Sequence, residues 1–235
     1  NVLFDVVLPL KALPKAKSRL ADVLTNSQRS DLMLAMVQDV VVTLLAWSDC
    51  RSLTILQGPG WPPMLPAASK LQVIREDECG GVGLNEILAA GIDRLFGERI
   101  IVVFGDLPGL AAADLEALST AFDKGKTVIC PDDQNVGTNA VAFSADDIPV
   151  FRFGGNSFRE YRRNICSDRR VVLERPGLSF DVDTPAGLHA LLWGRNAAMS
   201  LGPATQEWVL AARSSGVMWR IQAPVSTQQN ANISC

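Results

Sequence analysis

Histidine is nearly missing from this sequence: His189 is the only one in 235 residues. Catalysis by a Ser–His or Cys–His pair would have to run through it. It lies in "GLHALLW", a helix-like stretch after Pro185, where a structural or surface role is the ordinary one. Acid–base chemistry by imidazole is therefore all but excluded, and any reaction falls to carboxylates and cations. Cysteine is sparse and unpatterned, with five residues at 50, 79, 130, 166 and 235 and no CxxC. That argues against a zinc site or a disulfide framework and for reduced thiols. No run approaches the ~18 apolar residues of a membrane span. The first residues lack the basic start and apolar core of a signal peptide, so the expectation is a cytoplasmic protein with no membrane partner. An excess of positive charge is also missing: 22 Lys and Arg against 25 Asp and Glu leave a net charge of −3, a poor basis for binding nucleic acid.

What is present is an ordinary globular balance, 48% hydrophobic and 20% charged, in a chain long enough for a sizeable core. Apolar runs that read as strands, at 3–10, 52–58, 71–76, 99–110, 127–131, 139–144 and 170–174, alternate with helical patterns at 27–47, 83–97, 112–125, 157–166 and 185–193. This alternation predicts an α/β domain with a mostly parallel sheet and helices on both faces, over residues 1–195. Residues 196–235 read as a C-terminal extension with a short amphipathic helix and a loose polar tail.

In open α/β sheets ligands bind beyond the carboxyl ends of the strands, which selects the loops to inspect. The loop after the first strand, "PLKALPKAKSRL", holds Lys11, Lys15, Lys17 and Arg19. It reads either as a solvated charge run or, better for its position, as a phosphate cradle. The loop after the strongest strand, "FGDLPGL", presents Asp106. Asp and Pro suit turns, but a carboxylate there also suits Mg²⁺, which takes one or two carboxylates plus substrate phosphates. In "LSFDVDTPAGL", Asp181 and Asp183 stand one residue apart and project to one side of an extended chain. Helix capping explains Thr184 or Asp183 but not Asp181; a cation between the two carboxylates explains both. Two further stretches, "NVGTNA" and "FGGNSF", offer hydroxyls and bare N–H groups for an anion, or are ordinary turns and caps. A last glycine loop, "CGGVGLN", lets a nucleobase approach the backbone or serves as a linker into a helix, and it is not a dinucleotide fingerprint.

These stretches, taken in order, resemble the phospholactate guanylyltransferases, the CofC/FbiD family of deazaflavin coenzyme factor 420 biosynthesis. The resemblance runs from "VVLPLKALPKAKSRLADVL" through "GLN", "GDLP", "GTNA" and "FGGNSF" to "DVDTP", and covers residues 2 to about 193. It implies a single GT-A-like (Rossmann-like) nucleotidyltransferase domain. It implies transfer of GMP from GTP to phosphoenolpyruvate, 2-phospho-L-lactate or 3-phospho-D-glycerate, with release of diphosphate. Carried onto this chain, Asp106, Asp181 and Asp183 would hold Mg²⁺. Lys11, Lys17, Arg19, Gly83 and Asn85 would serve the nucleotide, with Lys17 and Asp106 in catalysis. Thr138, Gly154 and Ser157 would contact the three-carbon phospho-acid. A homodimer and an encounter with the downstream transferase of the pathway are further expectations. The chain departs from the family at Phe104-Gly105, where members often carry a small residue and proline, and at "DDQNV", which replaces a basic or glycine-rich lead into "GTNA".

Two other functions share this expectation of fold. One is a molybdopterin-type nucleotidyltransferase, whose usual "GGxSxRMG"-like opening is not "LKALPKAKSRL". The other is a non-catalytic nucleotide-binding regulator, which would not need the acidic trio.

Overall fold

The computed structural model describes residues 3–63, 66–122, 126–194 and 199–215. The loose polar tail expected at the C-terminus lies outside them. Seven strands form one sheet: β1 (Phe4–Leu10), β2 (Cys50–Gln57), β3 (Leu71–Arg75), β4 (Arg99–Val103), β5 (Thr127–Pro131), β6 (Thr138–Ser144) and β7 (Arg170–Val172). Their spatial order is β3-β2-β1-β4-β6-β5-β7. Pairings are parallel except where β6 runs antiparallel between β4 and β5. The mostly parallel sheet is as expected; the reversed strand was not, because an apolar run reads alike in either direction.

The helices are α1 (Asn26–Ala46), α2 (Glu76–Cys79), α3 (Leu84–Ile92), α4 (Ala112–Phe122), α5 (Ser157–Asn164), α6 (Pro176–Ser179), α7 (Pro185–Trp193) and α8 (Pro203–Ser214). One face of the sheet packs on α1 and α4 through Val37, Val41, Leu115 and Leu118. The other face packs on α3 and α5 through Leu88, Ile92, Phe158 and Tyr161. A third apolar cluster joins Leu32 and Met36 of α1 to Leu188 and Leu191 of α7 and Val209 of α8. Among the described residues no helix is long and apolar enough to cross a membrane.

β1 explains its own sequence. It lies between two parallel neighbours and all seven residues are buried; six are apolar, and the seventh, Asp5, is paired with Arg51. Its β4 pairing ends at Val7, so Pro9 has no ladder partner on that side, while on the other it stands opposite Leu56 of β2. α3 ends at Ile92 and does not run to Gly97 as the pattern predicted, because its last turn tightens, with Arg94 N bonded to Gly91 O at 3.3 Å and Leu95 N to Ile92 O at 2.9 Å. Gly97 has a different reason to be glycine: a Cβ there would strike the ion pair that Arg51 makes with buried Asp5.

In the C-terminal extension, α8 docks on α1. The Asp39 carboxylate accepts N–H bonds from Ala204 at 3.0 Å and Thr205 at 2.8 Å, capping α8 from another element.

Candidate active site

The segment between α6 and α7 is extended, and its side chains alternate. Phe180 and Val182 are buried in the third apolar cluster, which turns Asp181 and Asp183 the other way. Thr184 then caps α7, its Oγ1 accepting the Gly187 N–H at 3.1 Å, with Pro185 in the first helical turn. Capping is thus complete without either aspartate. Asp106 arrives from the end of β4, where Leu107 is fully buried and anchors the turn, and where Gly105 lets the chain pass close to Val37 of α1.

One oxygen from each of Asp106, Asp181 and Asp183 lies within 4.8 Å of the others. Lys17 reaches into this group, its Nζ 2.5 Å from Asp106 Oδ2 and 2.6 Å from Asp183 Oδ1, with only 3% of its side chain exposed. Its backbone is left-handed, φ 53°, at the start of a short turn over Ser18–Leu20, an uncommon conformation for lysine that points the side chain inward. Arg19 stands further off, 4.0 Å from Asp183 and mostly exposed.

The charges set the protonation states. Burial is the largest cause that raises the Asp181 carboxyl, the nearby charges of Asp106 and Asp183 add to it, and despite Lys17 it is pushed up to about 7. Burial works the same way on Asp183, but Lys17, hydrogen-bonded to it, together with Arg19 and Lys11, holds that carboxyl below the usual range. Burial would lower the Lys17 ammonium, and the two carboxylates it touches outweigh this and hold it above its ordinary value. Three converging carboxylates matched by one buried ammonium leave a deficit of positive charge. The donors are hard oxygens, so the trio fits a divalent cation.

These residues line a cavity of about 500 Å³ that also takes in Lys11, Lys15, Thr138, Gly154 and Ser157. Thr138 is 5% exposed and its Oγ1 is buried without a hydrogen-bond partner. Ser157 starts α5, after Gly154 at φ 136° and Asn156 at φ 62°, so the chain turns sharply into the helix. His189 is exposed on α7 and does not line the cavity.

Gly83 and Asn85 do not line the cavity, although Leu84 between them does. The Asn85 amide is spent on the backbone of Phe153, donating to its carbonyl at 3.1 Å and accepting its N–H at 2.9 Å. Phe153 in turn sits edge-on to Phe104 at 5.0 Å and to Tyr161 at 5.4 Å. Asn85 therefore fastens the "FGGNSF" loop to α3. Asn85→Ala is expected to cost about 1–3 kcal/mol of stability in denaturant unfolding, since it leaves both backbone groups of Phe153 without their partner. A loss under ~0.5 kcal/mol would show the pairing to be dispensable.

The sequence reading missed Trp61, Phe104 and Asp132, which line the cavity together with Asn139 of the "NVGTNA" stretch. Trp61 donates its indole N–H to the Lys11 carbonyl at 2.8 Å, tying the loop after β2 to the basic loop. Phe104 was visible only as an unusual residue ahead of Asp106.

Known proteins place this arrangement. A candidate nucleotide-diphospho-sugar transferase from Desulfovibrio desulfuricans G20 has the same fold, with a TM-score of 0.69 at 18% identity, covering 92% of this chain and 97% of that one. So does a nucleotidyl transferase from Methanothermobacter thermautotrophicus, with a TM-score of 0.54 at 16% identity, covering 80% of this chain and 94% of that one. The fold is therefore of the GT-A-like nucleotidyltransferase type. A phosphoenolpyruvate guanylyltransferase of Sphaerobacter thermophilus is 34% identical over 190 residues, covering 79% of this chain and 90% of that one. Residues 4–199 match the family described as guanylyl transferase CofC like. With its acidic trio, its basic loop and this match, the chain belongs to the CofC-like guanylyl transferase family.

Proposed function

We propose that this protein transfers the GMP unit of GTP, with Mg²⁺, to a small phosphorylated acid in the biosynthesis of the deazaflavin coenzyme. Phosphoenolpyruvate is the first candidate, given the names of the relatives, and 2-phospho-L-lactate and 3-phospho-D-glycerate follow. The observation that carries this reading is the composition of one cavity. It joins three carboxylates and a basic loop to a buried, unpartnered threonine hydroxyl.

The reaction joins a phosphate oxygen of the acid to the α-phosphorus of GTP and breaks the bond to the β-phosphate, releasing diphosphate. The attacking oxygen is already anionic at neutral pH, so no base is required. The obstacle is repulsion between two polyanions. Asp106, Asp181 and Asp183 would hold the cation, which supplies charge neutralisation and in-line orientation when bound. Lys11, Lys15 and Arg19, which line the same cavity, would receive the triphosphate. Thr138, the Gly154 backbone and Ser157 would receive the acid.

The test is diphosphate release from GTP and Mg²⁺ on addition of each acid, with the labile product trapped by the next enzyme and identified by mass. No release from any nucleoside triphosphate with any of the three acids would sink the reading.

A narrower outcome follows at Thr138. Thr138→Val keeps the shape and removes a hydroxyl that no protein group uses. The melting temperature should hold or rise, while KM for the acid rises about tenfold, as for one lost hydrogen bond to a charged group. An unchanged KM for the acid would remove Thr138 from the binding site.

A further inference from the structure

The six-residue connection 132–137 between β5 and β6 is organised around one carboxylate. Asp132 Oδ1 accepts the Val136 N–H at 2.8 Å, and its Oδ2 accepts the Gly137 N–H at 2.7 Å. The backbone closes the same loop: Asn135 N bonds to Asp132 O at 3.1 Å, Asp132 N to Gly137 O at 3.2 Å, and Asn135 is left-handed at φ 56°. Two successive N–H groups converging on an anion form a nest of the kind that binds substrate anions elsewhere. Here the protein's own side chain fills it.

This connection is also a junction. Asp133 N bonds to Ser179 O at 2.9 Å, and the Asn139 amide donates to the carbonyls of Leu178 at 3.1 Å and Ser179 at 3.2 Å. Ser179 lies two residues before Asp181. On the other side, Val136 O accepts the Phe158 N–H at 3.1 Å, from the residue after Ser157. The loop thus ties the end of α6, which leads into Asp181 and Asp183, to the start of α5, and Thr138 follows it directly.

We propose that Asp132 is a positioning residue for the phospho-acid. By closing the nest it sets where the Thr138 hydroxyl and the first turn of α5 stand relative to the trio, and it keeps the substrate's anionic groups off the Val136 and Gly137 N–H groups. The acid is left to bind through Thr138 and Ser157. This deepens the function proposed above and rests on it.

Gly137 provides an independent handle. A Cβ there would lie 2.7 Å from Asp132 Oδ2, so Gly137→Ala must push the carboxylate out of the nest without touching its charge. Asp132→Asn keeps one acceptor and turns an amide donor toward the other N–H. Both variants, and the double variant, should be measured with wild type for KM of phosphoenolpyruvate and of GTP, for kcat and for thermal midpoint. Each single change is expected to raise KM for the acid about tenfold or more with KM for GTP within about twofold. The double variant should be little worse than either single one, because both break the same contact. Parallel rises in both KM values, additive effects, or an unchanged KM for the acid would overturn the assignment. An inactive wild type would overturn the function itself, and this inference with it; an active wild type with no split between the two KM values overturns only the inference.

Discussion

Asp181→Asn is expected to abolish turnover and yet raise the melting temperature of the metal-free protein. The carboxylate is one third of the only acidic trio found among the described residues, and an amide is a poor ligand for a hard cation. The gain in stability comes from its protonation. In the folded chain burial and the neighbouring carboxylates push the group up to about 7, from 3.8 ordinarily. Between these values the native state binds more protons than the unfolded state, so stability from this group is full below about 3.8 and is lost as pH rises through about 7. Asparagine never acquires the charge. The advantage of the variant should therefore be near zero at acid pH and grow toward pH 8. Each 1 kcal/mol gained moves the midpoint by about 2–4 °C in a chain of this size. Calorimetry of both proteins in chelator across this range decides the matter: a lower midpoint for the variant at pH 8 would refute the repulsion, and normal turnover would refute the metal assignment. Asp183→Asn should behave oppositely in stability, because Asp183 is held ionised by Lys17 and its loss strips a buried ammonium of one partner.

Lys17→Met carries the second large effect. The substitution keeps the stem and removes the charge. Asp106 and Asp183 then face Asp181 with no ammonium between them. Turnover should fall about a hundredfold or more, as when an oriented charge is removed from a transition state. The metal-free protein should melt earlier. At the same time the affinity for Mn²⁺ in a calorimetric titration should rise several-fold, since the trio has lost its resident cation. Adding metal should then restore more of the midpoint in the variant than in wild type. If the variant binds metal more weakly, Lys17 is no counter-ion to the trio and helps to shape the site instead.

The aspartates were readable because their arrangement is local. Asp181 and Asp183 sit in a period-two stretch whose partners, Phe180 and Val182, are apolar, and Asp106 follows an unmistakable buried strand. The alternation of strands and helices was readable for the same reason. What escaped the sequence is contact between distant side chains. Lys17 meets residues 89 and 166 positions away, and Asn85 meets Phe153 at a separation of 68. A charged loop does not announce that one of its four cations turns inward. An asparagine beside a glycine loop looks the same whether its amide faces a ligand or a backbone. Asp132 was seen only within "DDQNV", as a departure from the family, since two bonds to N–H groups four and five residues on depend on a left-handed turn at Asn135.

The docking of α8 has a practical consequence for anyone who trims this chain. The family match stops at residue 199, four residues before the helix begins. A cut there would leave Asp39, 7% exposed in the intact fold, with no N–H groups to accept. It would also uncover the side of α1 and α7 that Val209 and Ala212 now cover. The stretch matched by the family model is thus shorter than the packed unit, and a piece cut at its end would carry a bare carboxylate beside a bare apolar strip.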